Sequence, residues 1–131
     1  IAHAQYHHHG AYLLANSDLA GFSREEQGNV AMLVRCHRRK FPLMEIQQLP
    51  EENRDRIIRL CILLRLAVLL NRSRSYASPP DITASVKERA IQLEFPGQWL
   101  NEHPLTKTDL EQETEYLETV DYKLNYVLKA E

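Results

Sequence analysis

The sequence contains no GxSxG turn, no Walker-type glycine loop, no HExxH helix and no CxxC pair. The first three absences remove the common local signatures of serine hydrolases, P-loop NTPases and zincins. The fourth leaves Cys36 and Cys61 as separate thiols, each in an apolar helical context. Thiols of that kind read as reduced, buried and inert, which suits a cytoplasmic protein. No signal peptide pattern opens the chain. The longest apolar stretch, Ile57 to Leu70, is broken by Arg59 and Arg65. It is too short and too charged to span a bilayer. Internal repeats and low-complexity segments are absent as well.

What is present is a globular composition with a hidden charge split. The chain has 131 residues, 44% of them hydrophobic, enough for one domain or two small units sharing an interface. Its formal net charge is only −2. From Arg35 to Arg74, however, there are 10 Lys/Arg against 4 Asp/Glu, and from Ser75 onward 5 against 11. The run Val34-Arg35-Cys36-His37-Arg38-Arg39-Lys40 opens the basic half. Such asymmetry predicts a polyanion partner on one part of the molecule.

The periodicity divides the chain in two. Residues His7 to Asn16 read as a helix weakened at Gly10, followed by a turn at Ala20-Gly21-Phe22. Ser23 and Glu26 form a capping box that opens a second helix, expected to run to about Lys40 and to stop before Pro42. Leu43 to Leu49 is a short helical turn. Pro50-Glu51-Glu52 opens a long helix to about Ser73, apolar on nearly all sides and therefore expected to be buried centrally. Pro79-Pro80 stiffens a linker. Beyond it, Ile82/Ala84/Val86 and Ile91/Leu93/Phe95 alternate as a hairpin. Thr108 with Glu111 reads as a capping box for a helix to about Val120, and Tyr122/Leu124/Tyr126 as a last strand. The predicted class is α+β: a helical domain over 1–74, a linker over 75–80 and a small α+β domain with an antiparallel sheet over 81–131. The start at Ile1-Ala2-His3, without Met, reads as entry in the middle of an element.

Several clusters could carry chemistry. His3 and His7 share a helical face and, with His8 and His9, are the obvious metal candidates, but no carboxylate lies near them in sequence. A polar helix end is the plainer reading, with His8 and His9 as anion contacts the functional one. Arg35, His37, Arg38, Arg39 and Lys40 either complement a helix dipole or grip phosphate. Arg59 and Arg65, inside the apolar helix, need a carboxylate, a carbonyl or the surface, and an internal ion pair is the favoured solution. Arg72 and Arg74 with Tyr76 could contact nucleic acid, yet no supporting fold signal accompanies them. The carboxylates Asp109, Glu111, Glu113, Glu115 and Glu118 lack a histidine partner and read as a solvated helix face.

Four segments then converge on one family. YHHHGAYLLANSDLAGFS (6–23), VAMLVRCHRRK (30–40), LLRLAVLLNRSR (63–74) and LEFPGQWL (93–100) together resemble the C-terminal region of the Ppx/GppA phosphatases. These are the exopolyphosphatases and guanosine pentaphosphate phosphohydrolases. The HRRK run is closer to the first branch, WLNEHPL (99–105) to the second.

The resemblance implies an HD-like helical domain, truncated at its N-terminus, followed by the small α+β domain. Catalysis and Mg²⁺ would belong to N-terminal actin-like domains that this sequence does not include. In the family the helical and C-terminal domains bind polyphosphate, support processivity and build a homodimer interface. In the HD pattern the late motif carries an Asp within Leu-Ala-Asp. Here Val68 stands at that place, and valine cannot ligate. His37 resembles the intervening HD histidine, with Arg38 beside it in place of an acid.

The expectation is therefore a region without catalytic residues, metal or cofactor of its own. It would bind inorganic polyphosphate or pppGpp through His8, His9, Arg35, His37, Arg38, Arg39, Lys40, Arg72 and Arg74. The parent would be a cytoplasmic, homodimeric exopolyphosphatase, with the pentaphosphate branch as the alternative. A stand-alone HD hydrolase and a helical nucleic-acid-binding module are the rivals, although no sequence-specific nucleic-acid contact is expected.

Overall fold

The computed structural model describes residues 6–18, 20–72 and 81–129. The chain forms two compact units, Ile1–Arg65 and Leu66–Glu131, and the division falls inside one helix. The class is α+β, mainly helical with a small three-stranded mixed sheet. Among the described residues no helix is long and apolar enough to cross a membrane. The linker 75–80 lies outside the described residues.

The first unit begins with a helical hairpin, α1 (Tyr6–Asn16) packed against α2 (Arg24–Cys36). Gly21 makes the turn between them in the left-handed region, φ 86°. Ser23 caps α2 as the sequence predicts. Its hydroxyl accepts from the Glu26 amide at 3.0 Å, and its own amide donates to the Glu26 carboxylate at 2.9 Å. At the other end the prediction fails: α2 stops at Cys36, not near Lys40, and Arg39 takes φ 60°. The cause is tertiary. Arg65 draws off the carbonyl oxygens of Cys36 and Arg39, both at 2.6 Å.

A five-residue helix, α3 (Leu43–Gln47), follows Pro42 and buries Ile46. Helix α4 (Glu51–Arg72) starts after Pro50 with two acids in its first turn, as expected. It is not buried all round. Ile57, Ile58, Cys61, Ile62 and Arg65 face the core of the first unit, while Leu60, Leu63 and Leu64 are 44%, 61% and 39% exposed. An apolar sequence on every side could not distinguish these two faces.

In the second unit, β1 (Thr83–Lys87) and β2 (Ala90–Pro96) form the predicted antiparallel hairpin. Every residue of β1 is exposed, so the alternation of Ala84 and Val86 faces no core. Ile91, Leu93 and Phe95 of β2 are buried. Next come α5 (Trp99–Glu102) and α6 (Pro104–Glu118), then β3 (Lys123–Lys129). Helix α6 opens at Pro104, four residues before the expected Thr108 cap. The Thr108 hydroxyl instead donates back to the Pro104 carbonyl at 3.1 Å, inside the helix.

The sheet order is β1-β2-β3, and β3 runs parallel to β2, with Ala90 opposite Lys123. The expected fully antiparallel sheet is therefore mixed. Arg89 explains the pairing. Its guanidinium donates to the carbonyls of Asp121 and Val120 at 3.0 and 3.1 Å and lies 4.5 Å over the Tyr122 ring. Its own carbonyl accepts from the Lys123 amide at 2.9 Å. The start of β3 is thus fastened beside the start of β2, and α6 supplies the crossover that a parallel pair requires.

Candidate functional site

Two close approaches define the helical hairpin that carries the basic cluster. At one end, the Gln27 side-chain amide donates to the carbonyls of Leu14 (2.6 Å), Ala15 and Ser17, closing the C-terminus of α1. At the other, Gly10 lies against α2: a Cβ there would sit 3.3 Å from Val34 Cγ1. The two helices therefore run antiparallel. His8 and His9 stand at the same end of the hairpin as Arg35 to Lys40, a grouping the sequence alone could not establish.

Within that group the cations are not equivalent. Arg35 is committed to Glu45 at 2.7 Å, with both side chains partly shielded. His37 terminates α2, half-buried, with Nδ1 in contact with the Val34 carbonyl. Arg38, Arg39 and Lys40 are exposed. Among the described residues their side chains have neither an ion pair nor a hydrogen bond. Three adjacent cations thus stand in a bend, unmatched by acids among the described residues, a pattern of charge that suits an anion with several oxygens. His9 is exposed and His8 half-buried on the neighbouring helix.

Arg72 is in the second unit, 4.0 Å from Asp109. Arg74, Tyr76 and His3 lie outside the described residues. Arg59 makes an exposed i,i+4 pair with Asp55 at 3.1 Å. Arg65 takes the carbonyl solution: 3% exposed, it bonds to Cys36 and Arg39 and lies 4.4 Å over the Phe41 ring. Arg54 does the same for α3, donating to the Gln47 and Leu49 carbonyls at 2.8 and 3.2 Å. With Arg89 at the end of α6, three arginines close three helix C-termini. Much of the positive charge counted in the sequence is thus structural. On α6, Glu113 is buried, so the acidic face is not uniformly solvated.

Among the described residues no three His, Cys, Asp or Glu side chains gather as a metal-binding group. Val68, at the place of the HD aspartate, is half-buried in α4. The arrangement can hold and orient an anion.

Sequence reasoning missed one member of this neighbourhood. Glu45 neutralises Arg35 from ten residues away, across Pro42, with no periodic signal linking them. Cys36 and Cys61 are both fully buried free thiols, as their apolar helical setting predicts.

The family model described as Ppx/GppA phosphatase, domain III, matches residues 1–114. A guanosine-5'-triphosphate,3'-diphosphate pyrophosphatase from Vibrio cholerae is 40% identical over 106 residues, covering 80% of this chain and 21% of that protein. The protein of the same name from Pseudoalteromonas translucida is 32% identical over 126 residues, covering 95% of this chain and 25% of its own length. That from Photobacterium profundum is 39% identical over 106 residues. The chain spans about a fifth to a quarter of the length of these curated relatives.

Proposed function

We infer the function from one premise: the chain belongs to the Ppx/GppA phosphatase family, with the family's domain III over residues 1–114. We propose that it is the C-terminal accessory region of a guanosine-5'-triphosphate,3'-diphosphate pyrophosphatase, and that its basic bend holds the phosphates of the substrate. The names its relatives carry favour this branch over the exopolyphosphatase branch.

Hydrolysis itself belongs to domains outside this chain. The family resemblance puts there a Mg²⁺ ion that would neutralise phosphate charge and assist attack by water. This region would act by retention, raising the local concentration of the substrate without touching the reacting bond. The exposed leucines of α4, Leu60, Leu63 and Leu64, are the surface that the family's homodimer would use.

The observation that supports the reading is the unmatched trio Arg38, Arg39 and Lys40. Lysine and arginine on a flexible or helical surface commonly pair with nearby acids. Here Glu45 serves Arg35 and leaves the next three cations free for a ligand.

Titration of the chain with pppGpp and with inorganic polyphosphate, at low and physiological salt, tests it. Affinity should fall steeply with salt. Replacing Arg38, Arg39 and Lys40 with Ala should weaken pppGpp binding by about tenfold or more, the scale of one or two charge-assisted hydrogen bonds. Unchanged affinity at low salt would remove the bend from the function. Binding of polyphosphate without pppGpp would return the chain to the exopolyphosphatase branch.

A further inference from the structure

The basic bend does not stand alone on its stretch of surface. Arg38, Arg39 and Lys40 are exposed, and the next exposed residues along the chain are Leu43 and Met44, the first two of α3. Met44 is 75% exposed and Leu43 42%. Phe41 before them and Ile46 after them are buried, so the segment already has its anchors in the core. The two apolar side chains between those anchors face solvent. Three cations and two large apolar side chains thus share one exposed segment, residues 38–44.

Nearby acids do not cancel this charge. Glu45 is the next carboxylate along the chain, and it is bound to Arg35 at 2.7 Å. Glu51 and Glu52 follow only beyond Pro50, in the first turn of α4. Among the described residues the side chains of Arg38, Arg39 and Lys40 have no ion pair. A small phosphate ligand would account for the cations but gives Leu43 and Met44 nothing to do. The surface of an anionic bilayer uses both. Its headgroups attract Lys and Arg, and the acyl boundary just beneath them receives apolar side chains.

We propose that residues 38–44 dock this chain reversibly on an anionic membrane surface. Arg38, Arg39 and Lys40 lie at the headgroups, and Leu43 and Met44 insert at the acyl boundary. Each cation near such a surface strengthens binding by about fivefold. Burial of Met44 adds about tenfold. Among the described residues no helix can span a bilayer, and this contact does not require one: the chain lies on the surface. The bend then has two anionic claimants, because a bilayer and a bound oligophosphate compete for the same three cations.

Sedimentation of the chain with lipid vesicles, at low and physiological salt, tests this. One set is phosphatidylcholine alone, and the other mixes phosphatidylcholine with phosphatidylglycerol. The chain should sediment with the anionic set, less so as salt rises, and not with the neutral set. Leu43→Ser combined with Met44→Ser should weaken binding to the anionic vesicles by about tenfold, with a nearly unchanged urea midpoint because both positions are exposed. No sedimentation with the anionic set at low salt, equal sedimentation with both sets, or full vesicle affinity in the double variant would each overturn the proposal. If the double variant does not fold, Met44→Cys carrying an environment-sensitive dye replaces it, since Cys36 and Cys61 are buried. A blue shift on anionic vesicles is expected, and an unshifted spectrum overturns the proposal. The vesicles contain no pppGpp or polyphosphate, so the failure of this docking and that of the proposed function are separately visible.

Discussion

Arg65 donates through Nη1 to the carbonyl oxygen of Cys36 at 2.6 Å, so a residue of α4 sets the point at which α2 ends. Its Nη2 serves the Arg39 carbonyl, and its plane lies on Phe41. Removing it leaves buried acceptors without donors. Arg65→Ala should cost roughly 3 kcal/mol in urea unfolding. Arg65→Lys should recover only part of that, because an ammonium cannot bridge two carbonyls with a planar fork.

Glu45 sets how much of the basic cluster is available. It neutralises Arg35 in a pair that is one-third exposed or more on both sides, so the pair contributes little to stability, at most about 1 kcal/mol. Glu45→Gln should release Arg35 and strengthen polyanion binding at low salt, with nearly unchanged thermal stability. Replacing Arg38, Arg39 and Lys40 should do the opposite to affinity and flatten its salt dependence. Isothermal titration across a salt series measures both.

Gly10 is a helix-interior glycine with a packing reason. Ala normally gains about 1 kcal/mol at such a position. Here the added Cβ would meet Val34 Cγ1 at 3.3 Å, and a β-branched side chain in a helix has no spare rotamer to yield. Gly10→Ala should therefore fail to stabilise the chain. Combined with Val34→Ala, the gain should reappear relative to Val34→Ala alone, which a double-mutant cycle on urea midpoints detects.

The Ser23–Glu26 box titrates. The Ser23 backbone amide and then its hydroxyl hold the Glu26 carboxyl below the usual glutamate range. A depressed folded-state pKa means that the contribution is present above the unfolded glutamate value and is lost as pH falls through the folded value. Stability should decline through that acidic window, and Glu26→Gln should flatten the decline. Ser23→Ala should cost about 1 kcal/mol at neutral pH.

The elements written in local chemistry were legible before the structure. Ser23 with Glu26, the turn at Gly21 and the opening of α4 after Pro50 are each signalled by residues within four positions of one another. What escaped was decided by arginines acting over long separations. Arg65 ends α2 from 29 residues away, and Arg89 anchors β3 from 31 and 32. Both look like ordinary surface or ion-pair arginines in sequence. The same blindness applies to charge: Arg54, Arg65 and Arg89 count toward a basic total yet serve as helix ends. At the site, the identity of the cations was readable. Which of them stay unmatched was not, because Glu45 is brought to Arg35 only by the turn at Pro42.

The parallel seating of β3 has a consequence for synthesis. The β1–β2 hairpin can close as soon as its own residues have emerged, but β3 follows only after fifteen residues of α6. Until Lys123–Lys129 is in place, the nascent chain carries a half-built sheet with the β2 edge unpaired, and Leu124 has not yet joined Ile91, its partner across the pair. Such a state is the kind that pairs with neighbouring chains. A ribosome that stalls within α6 should therefore yield aggregation-prone product, whereas a stall before Thr83 should not.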